Sequence, residues 1–244
     1  MSAIKKHVKI GDCDLYLGDC LEVMPLLSVS HQPSQAGVVG QEEISILTDP
    51  PYGINRGGQA ETFTKKAQHK RKHHELKEWD NDRPAKIIFD EMRRISNTQI
   101  IWGGNYFADF LPPTMRWLYW DKGQDGLSMS DGELAWTSQN NALRAFRLNR
   151  GVIAREGSVH PTQKPIALMK WCLGFLPKAE TILDPFMGSG TTLVACAKLG
   201  RKGIGIELDE DYFNIACKRV QEAYDQPDLF VSQPEPKPTQ GELL

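Results

Sequence analysis

Between residues 181 and 207 the chain runs apolar stretch, glycine-rich turn, helical pattern and second apolar stretch, and that alternation leaves few folds open. Thr181-Ile182-Leu183 is short, apolar and partly β-branched, as a buried strand is. Asp184-Pro185-Phe186-Met187-Gly188-Ser189-Gly190-Thr191-Thr192 then makes a turn, and residues 193–199 repeat apolar side chains at helical spacing. A second strand over 203–206 ends at Glu207, about 20 residues past the first glycine, where dinucleotide-type folds place a ribose-binding acid. Strand, turn, helix and strand in this order predict an α/β fold with a doubly wound sheet. A phosphate-cradling loop would need Lys before its Ser/Thr, where Gly190 stands, and Leu193 occupies the position of the third glycine of the dinucleotide fingerprint. The loop is therefore expected to bring its backbone close to a nucleoside rather than to a phosphate chain.

A second constellation lies far upstream. The run 44–48 reads as another buried strand, and it delivers Asp49-Pro50-Pro51-Tyr52 at its C-terminal end, where open α/β sheets bind ligands. A carboxylate, a rigid diproline and an aromatic ring suit the handling of an exocyclic base amine. Such an amine is a poor nucleophile, because its lone pair is delocalised into the ring. It has to be fixed by acceptors and aimed. Asp49 and the Pro50 carbonyl can each accept one N–H, and Tyr52 can stack on the base. By itself the tetrad barely outweighs an ordinary Asp-Pro-Pro turn after a strand.

Taken in order, Gly18-Asp19-Cys20, Asp49 to Tyr52, His160-Pro161-Thr162-Gln163-Lys164-Pro165 and Asp184 to Thr192 resemble the motifs of the β-class amino DNA methyltransferases. The resemblance covers roughly residues 8–223. It implies a single-domain Rossmann-like fold that uses S-adenosylmethionine and methylates adenine N6 or cytosine N4 in DNA after the base leaves the stack. It further implies that Asp19 and Cys20 meet the cofactor adenine and that Thr162 and Lys164 meet its methionine end. Asp184, Pro185, Phe186, Gly188, Ser189 and Gly190 would line the methionine and ribose, with Glu207 and Leu208 at the ribose. Family experience associates Asp at position 49 more with adenine. A non-catalytic binder that senses the cofactor is the alternative from another class, and the intact tetrad speaks against it.

Composition sets further bounds. A hydrophobic fraction of 40% in 244 residues supports one sizeable core. Five cysteines without a CxxC pair argue against a disulfide framework or zinc site and for a reducing, cytoplasmic setting. The net charge of −2 is unusual for a DNA binder, but basic residues are clustered. Lys65, Lys66, Lys70, Arg71 and Lys72 crowd the segment after the tetrad, and Arg144, Arg147 and Arg150 form a second basic stretch. Residues 53–82 are expected to form a DNA-contacting loop that orders over a flipped base, and residues 122–159 to hold the target-recognition region.

Further strands are expected over 99–102 and 116–120, and helices over 84–95, 166–175 and 209–223. Trp102, Phe107, Trp120 and Trp136 are candidates for a base-pocket wall, although aromatics at strand ends are more often core. Residues 224–244, rich in Pro, Gln, Glu and Ser, are expected to be a disordered tail. Within it Gln226, Leu229 and Phe230 resemble the peptide by which bacterial replication proteins dock on the sliding clamp, a possible partner besides duplex DNA. The opposing expectation is that Leu229 and Phe230 fold back on the last helix.

Overall fold

The computed structural model describes residues 3–28, 43–54, 82–124, 130–149, 163–176 and 181–226. Their strands join one sheet in the order β1-β2-β9-β8-β3-β4-β6-β5-β7. Its centre is parallel: β3 (Ile44–Thr48) lies between β8 (Thr181–Asp184) and β4 (Thr98–Trp102), and β9 (Lys202–Glu207) extends β8 to reach β2 (Cys13–Gly18). From β3 the chain crosses to β4 on one side, and from β8 it crosses to β9 on the other. The crevice at the carboxyl ends of β3 and β8 is thus the point at which strand order reverses, the usual ligand position in open α/β sheets.

Alternation along the strands builds two cores. Ile46, Ile101, Leu183 and Ile206 face α1 (Cys20–Ser28) and α2 (Lys86–Ile95), whose Val23, Met24, Phe89 and Met92 are fully buried. Leu15, Leu47, Ile100 and Ile182 face α3 (Ile166–Leu173), α4 (Thr191–Lys198) and α5 (Glu210–Asp225). Burying a side chain the size of Phe89 or Phe213 contributes about 1.5–3 kcal/mol. The glycines of β9 let α4 sit close on the sheet: a Cβ on Gly205 would lie 2.4 Å from Met187 Sδ and 2.9 Å from a Leu193 methyl carbon.

Four strands were not anticipated from the sequence. β1 (Ile4–Ile10) is a charged edge strand antiparallel to β2, and β2 carries a short alternation in which Cys13, Leu15 and Leu17 are buried. β6 (Gly132–Thr137) and β7 (Arg144–Arg147) fall inside the segment expected to recognise the target. β6 runs antiparallel between β4 and β5 (Trp117–Asp121), with Ala135, Trp136 and Thr137 buried, so this part of 122–159 belongs to the core sheet. Because β6 runs against its neighbours, its first residues lie at the same sheet edge as the carboxyl ends of β3, β4 and β8.

The last helix also outruns its expected end. α5 continues to Asp225, and Tyr224 is not tail: its hydroxyl accepts the Asp12 backbone N–H at 2.9 Å, and its ring fills the space beside Gly11. Among the described residues no helix is long and apolar enough to cross a membrane.

Candidate active site

Four strand ends deliver the carboxylates singled out from the sequence to one edge, and a fifth adds another. Asp19 follows β2, Asp49 follows β3, Asp184 closes β8 and Glu207 closes β9, while Glu133 opens β6. Thr48 ties two of them together, its hydroxyl donating to Asp184 Oδ1 at 2.7 Å across the reversal point. Asp184 also accepts the Phe186 N–H at 3.1 Å, and burial pushes its carboxyl up to about 6.

Asp49 sits at the centre of a charged network. Tyr52 donates its hydroxyl to Asp49 Oδ1 at 2.6 Å, and the Lys164 ammonium lies 2.7 Å from Oδ2 and 3.1 Å from the Tyr52 hydroxyl. Lys164 is 5% exposed and also lies 3.0 Å from Glu133 Oε2, while the other Glu133 oxygen pairs with the buried Lys122. Two cations and two anions therefore alternate along a mostly buried chain: Lys122, Glu133, Lys164, Asp49. Removing one partner of such a chain is costly, about 3–5 kcal/mol, because it strands the opposite charge. Burial pushes the Asp49 carboxyl above the ordinary carboxylate range, and Lys164 opposes that shift. Asp49 and Glu133 together hold the Lys164 ammonium well above the ordinary lysine range despite its burial.

Of the two readings of the aromatics, the structure bears out the core one. Trp102 and Phe107 are fully buried, and Trp120 and Trp136 are 3% exposed, so the four proposed wall residues are core. The open aromatic beside the tetrad is Tyr106, which stacks on Tyr52 with centroids 4.8 Å apart and planes 15° apart. It rides on a 3-10 turn (Gly104–Phe107) that follows Gly103, at φ +68°. A Cβ on Gly103 would lie 2.1 Å from the Tyr52 ring, so only glycine lets the chain turn there.

The glycine-rich loop is held differently. Glu207 Oε2 accepts the Gly188 N–H at 2.9 Å and Oε1 the Asp209 N–H at 2.8 Å, and burial pushes this carboxyl up to about 7. Gly188 has φ +51° with nothing within 4 Å of the place a Cβ would take, whereas a Cβ on Gly190 would meet Ala216 at 2.9 Å. Arg219 braces the loop from behind by donating to Ser189 Oγ at 2.8 Å. Pro185 of the loop and Pro50 of the tetrad are buried, and Pro51 is half-buried.

Asp19 caps α1, its Oδ1 accepting the Leu21 N–H at 2.8 Å, and the thiol of buried Cys20 is pushed up to about 12 by burial. Leu208 is 61% exposed at the same edge. Lys164, matched by resemblance to the methionine end of a cofactor, is here engaged with Asp49, Glu133 and Tyr52. Arg144 and Arg147 are exposed on the outermost strand, Arg147 3.4 Å from Asp121. Thr162, Lys65, Lys66, Lys70, Arg71, Lys72, Arg150, Leu229 and Phe230 lie outside the described residues. Glu133 and Lys122 were not anticipated. Their signal was the alternation of 132–137, which marks a strand whose first residue pairs lie beside Trp120 and Asp121.

Comparison with known proteins agrees with this geometry. The model of the DNA methylase family matches residues 136–218, from β6 through the glycine-rich loop into α5. Over these residues the chain is similar to that family. Type II methyltransferase M.HindIII of Haemophilus influenzae is 30% identical over 166 residues, which are 58% of this chain and 53% of the relative. M2.DpnII of Streptococcus pneumoniae is 48% identical over 63 residues, 25% of this chain and 24% of that one. The chain thus spans about half, or less, of the length of these relatives. The solved M1.HpyAVI–SAM complex superposes with a TM-score of 0.54 at 22% identity, over 85% of this chain and 99% of that one. The PvuII DNA methyltransferase, described as cytosine-N4-specific, gives 0.52 at 14% identity over 91% and 95%. At these identities the structures establish a shared Rossmann-like fold.

Proposed function

We propose that this chain transfers a methyl group from S-adenosylmethionine to the N6 amine of adenine in DNA. The observation that carries the reading is the Thr48–Asp184 hydrogen bond, which couples the acceptor tetrad to the first residue of the glycine-rich loop across the reversal point. Amine-holding and nucleoside-holding groups are thereby kept in one rigid edge. When bound, S-adenosylmethionine supplies an electrophilic methyl group on a sulfonium.

The residues fit that group. Glu207 presents a half-buried carboxylate to ribose hydroxyls, and the space before Gly188 admits close approach of a ligand to the backbone. Asp19 and Cys20 stand at the same edge for the adenine, with Phe186, Ser189 and Gly190 lining the loop. An amine inside a duplex is out of reach of this edge, so the base must first leave the stack. Asp49 and the Pro50 carbonyl then accept the two amine N–H groups and localise the lone pair, and Tyr52 offers its ring. The amine proton is acidified once the new bond forms, so Asp49 acts chiefly by positioning and charge stabilisation.

Lys65, Lys66, Lys70, Arg71, Lys72, Arg144, Arg147 and Arg150 are the proposed phosphate contacts, and Gln226, Leu229 and Phe230 the proposed clamp-docking residues. Asp at the head of the tetrad favours adenine over the N4 amine of cytosine. The test is mass spectrometry of nucleosides from DNA incubated with the protein and isotopically labelled S-adenosylmethionine. Labelled N6-methyladenine is expected. Labelled N4-methylcytosine alone would overturn the base assignment, and no labelled nucleoside on DNA of mixed sequence would overturn the activity.

A further inference from the structure

Among the described residues Glu133 forms its ion pairs with Lys122 and Lys164 rather than with the tetrad or the glycine-rich loop, yet it shares the ammonium that touches Asp49. Lys164 is 5% exposed and lies between two carboxylates, 2.7 Å from Asp49 Oδ2 and 3.0 Å from Glu133 Oε2. Whatever fraction of its charge Glu133 takes is withheld from Asp49. Lys122, also 5% exposed and seated over the Trp120 ring, holds the far oxygen of Glu133 and fixes the carboxylate in place. The position follows from topology, because β6 runs opposite to β4 and so begins where the parallel strands end.

From this we infer that Glu133 is a positioning residue: by holding Lys164 it keeps Asp49 electron-rich and aimed, so that Asp49 can accept the N–H of a target amine. The inference rests on the function proposed above. The charged and titratable groups facing Asp49 are Lys164 ahead of α3, Glu133 on β6 with Lys122 behind it, Tyr52 on its own loop and Asp184 at the end of β8. Without Glu133 the Lys164 ammonium has one anionic partner in place of two. It would draw charge from Asp49, lowering both the carboxyl's affinity for a proton and its strength as an acceptor.

The experiment follows the Asp49 carboxyl by carbon-13 NMR in the free protein, assigned by difference from Asp49→Asn, alongside steady-state methylation of DNA. In Glu133→Gln the Asp49 midpoint should fall by about half a pH unit or more, and the acid limb of kcat should fall with it. kcat should drop about tenfold or more while Kd for S-adenosylmethionine stays within about twofold. Glu133→Asp should recover part of both effects. The double variant Lys122→Gln/Glu133→Gln removes a neutral pair, so it also decides the matter should the single variant fail to fold. A lowered midpoint and lowered kcat in the double variant support the positioning role. A wild-type midpoint in either variant overturns it, leaving Glu133 as charge balance for Lys122. The titration needs neither DNA nor methyl donor, so it is readable even if the wild-type protein methylates nothing, the result that would overturn the function itself.

Discussion

Asp49 and Glu207 occupy equivalent places, each following or closing a parallel strand of the same sheet, yet they are held by opposite means. Side chains hold Asp49: the Tyr52 hydroxyl on one oxygen and the Lys164 ammonium on the other. Backbone N–H groups of Gly188 and Asp209 hold Glu207. A carboxylate gripped by backbone has its geometry fixed by the fold and its charge left to burial. One gripped by side chains can exchange partners, and its charge is set by neighbours that can be re-paired. The first arrangement suits a group that meets the same nucleoside at every turnover. The second suits a group that must release a resting partner to receive a base.

The largest effect that would break this comparison is expected at Asp49. Asp49→Ala should cut the methylation rate by at least a hundredfold, about 2.7 kcal/mol, with calorimetric affinity for S-adenosylmethionine nearly unchanged. A variant retaining more than a tenth of the wild-type rate would remove Asp49 from the proposed chemistry.

Glu207→Ala should show the reverse pattern. Losing charge-assisted bonds to the ribose is worth about 1.5–3 kcal/mol, read as roughly tenfold to hundredfold weaker cofactor binding by titration calorimetry. Unaltered affinity in a folded variant would show that the backbone-held carboxylate serves the loop alone.

Gly205→Ala probes the packing of α4 on β9. Its new methyl would overlap Met187 and Leu193, and overpacking of this kind costs about 1–3 kcal/mol, visible as a lower Tm. An unchanged Tm would mean that α4 can shift away from β9 without loss.

A pH slope is also expected. Burial raises the Glu207 carboxyl from 4.5 to about 7, so the folded state binds its proton more tightly than the unfolded chain. The associated stability is present below about 4.5 and is lost as pH rises through about 7. Wild-type Tm should therefore decline relative to Glu207→Gln across that window, whatever constant offset the amide introduces. Parallel melting curves for the two proteins would contradict a half-buried Glu207 whose charge is opposed by its surroundings.

The sequence made the centre of the sheet readable because β3, β4, β8 and β9 are short, largely apolar runs closed by Asp, Glu, Gly or Pro. It also made the tetrad and the glycine-rich loop readable, since each is a contiguous string of unusual composition. The network behind Asp49 was not readable in the same way. Lys122 and Glu133 look like ordinary solvated residues until β6 is placed antiparallel between β4 and β5, and that pairing depends on long-range contacts rather than on local pattern. Trp102 and Trp136 show the converse: their composition suggested a binding wall, and neighbours on both faces of the sheet enclosed them instead.

Strand order also governs when the candidate site can come into being. β2 and β3 are early in the chain but are not neighbours; β9 and β8, supplied by residues 181–207, stand between them. As the polypeptide emerges during synthesis, the tetrad is made long before the strand that must flank it. Until that strand arrives, one edge of β3 is an unpaired template. Pairings of such sequence separation are slow to form, because a long loop must close before any contact rewards it. The acceptor tetrad therefore waits on the last third of the chain, and a nascent fragment that ends before β8 carries the tetrad without the β8 strand that completes its site.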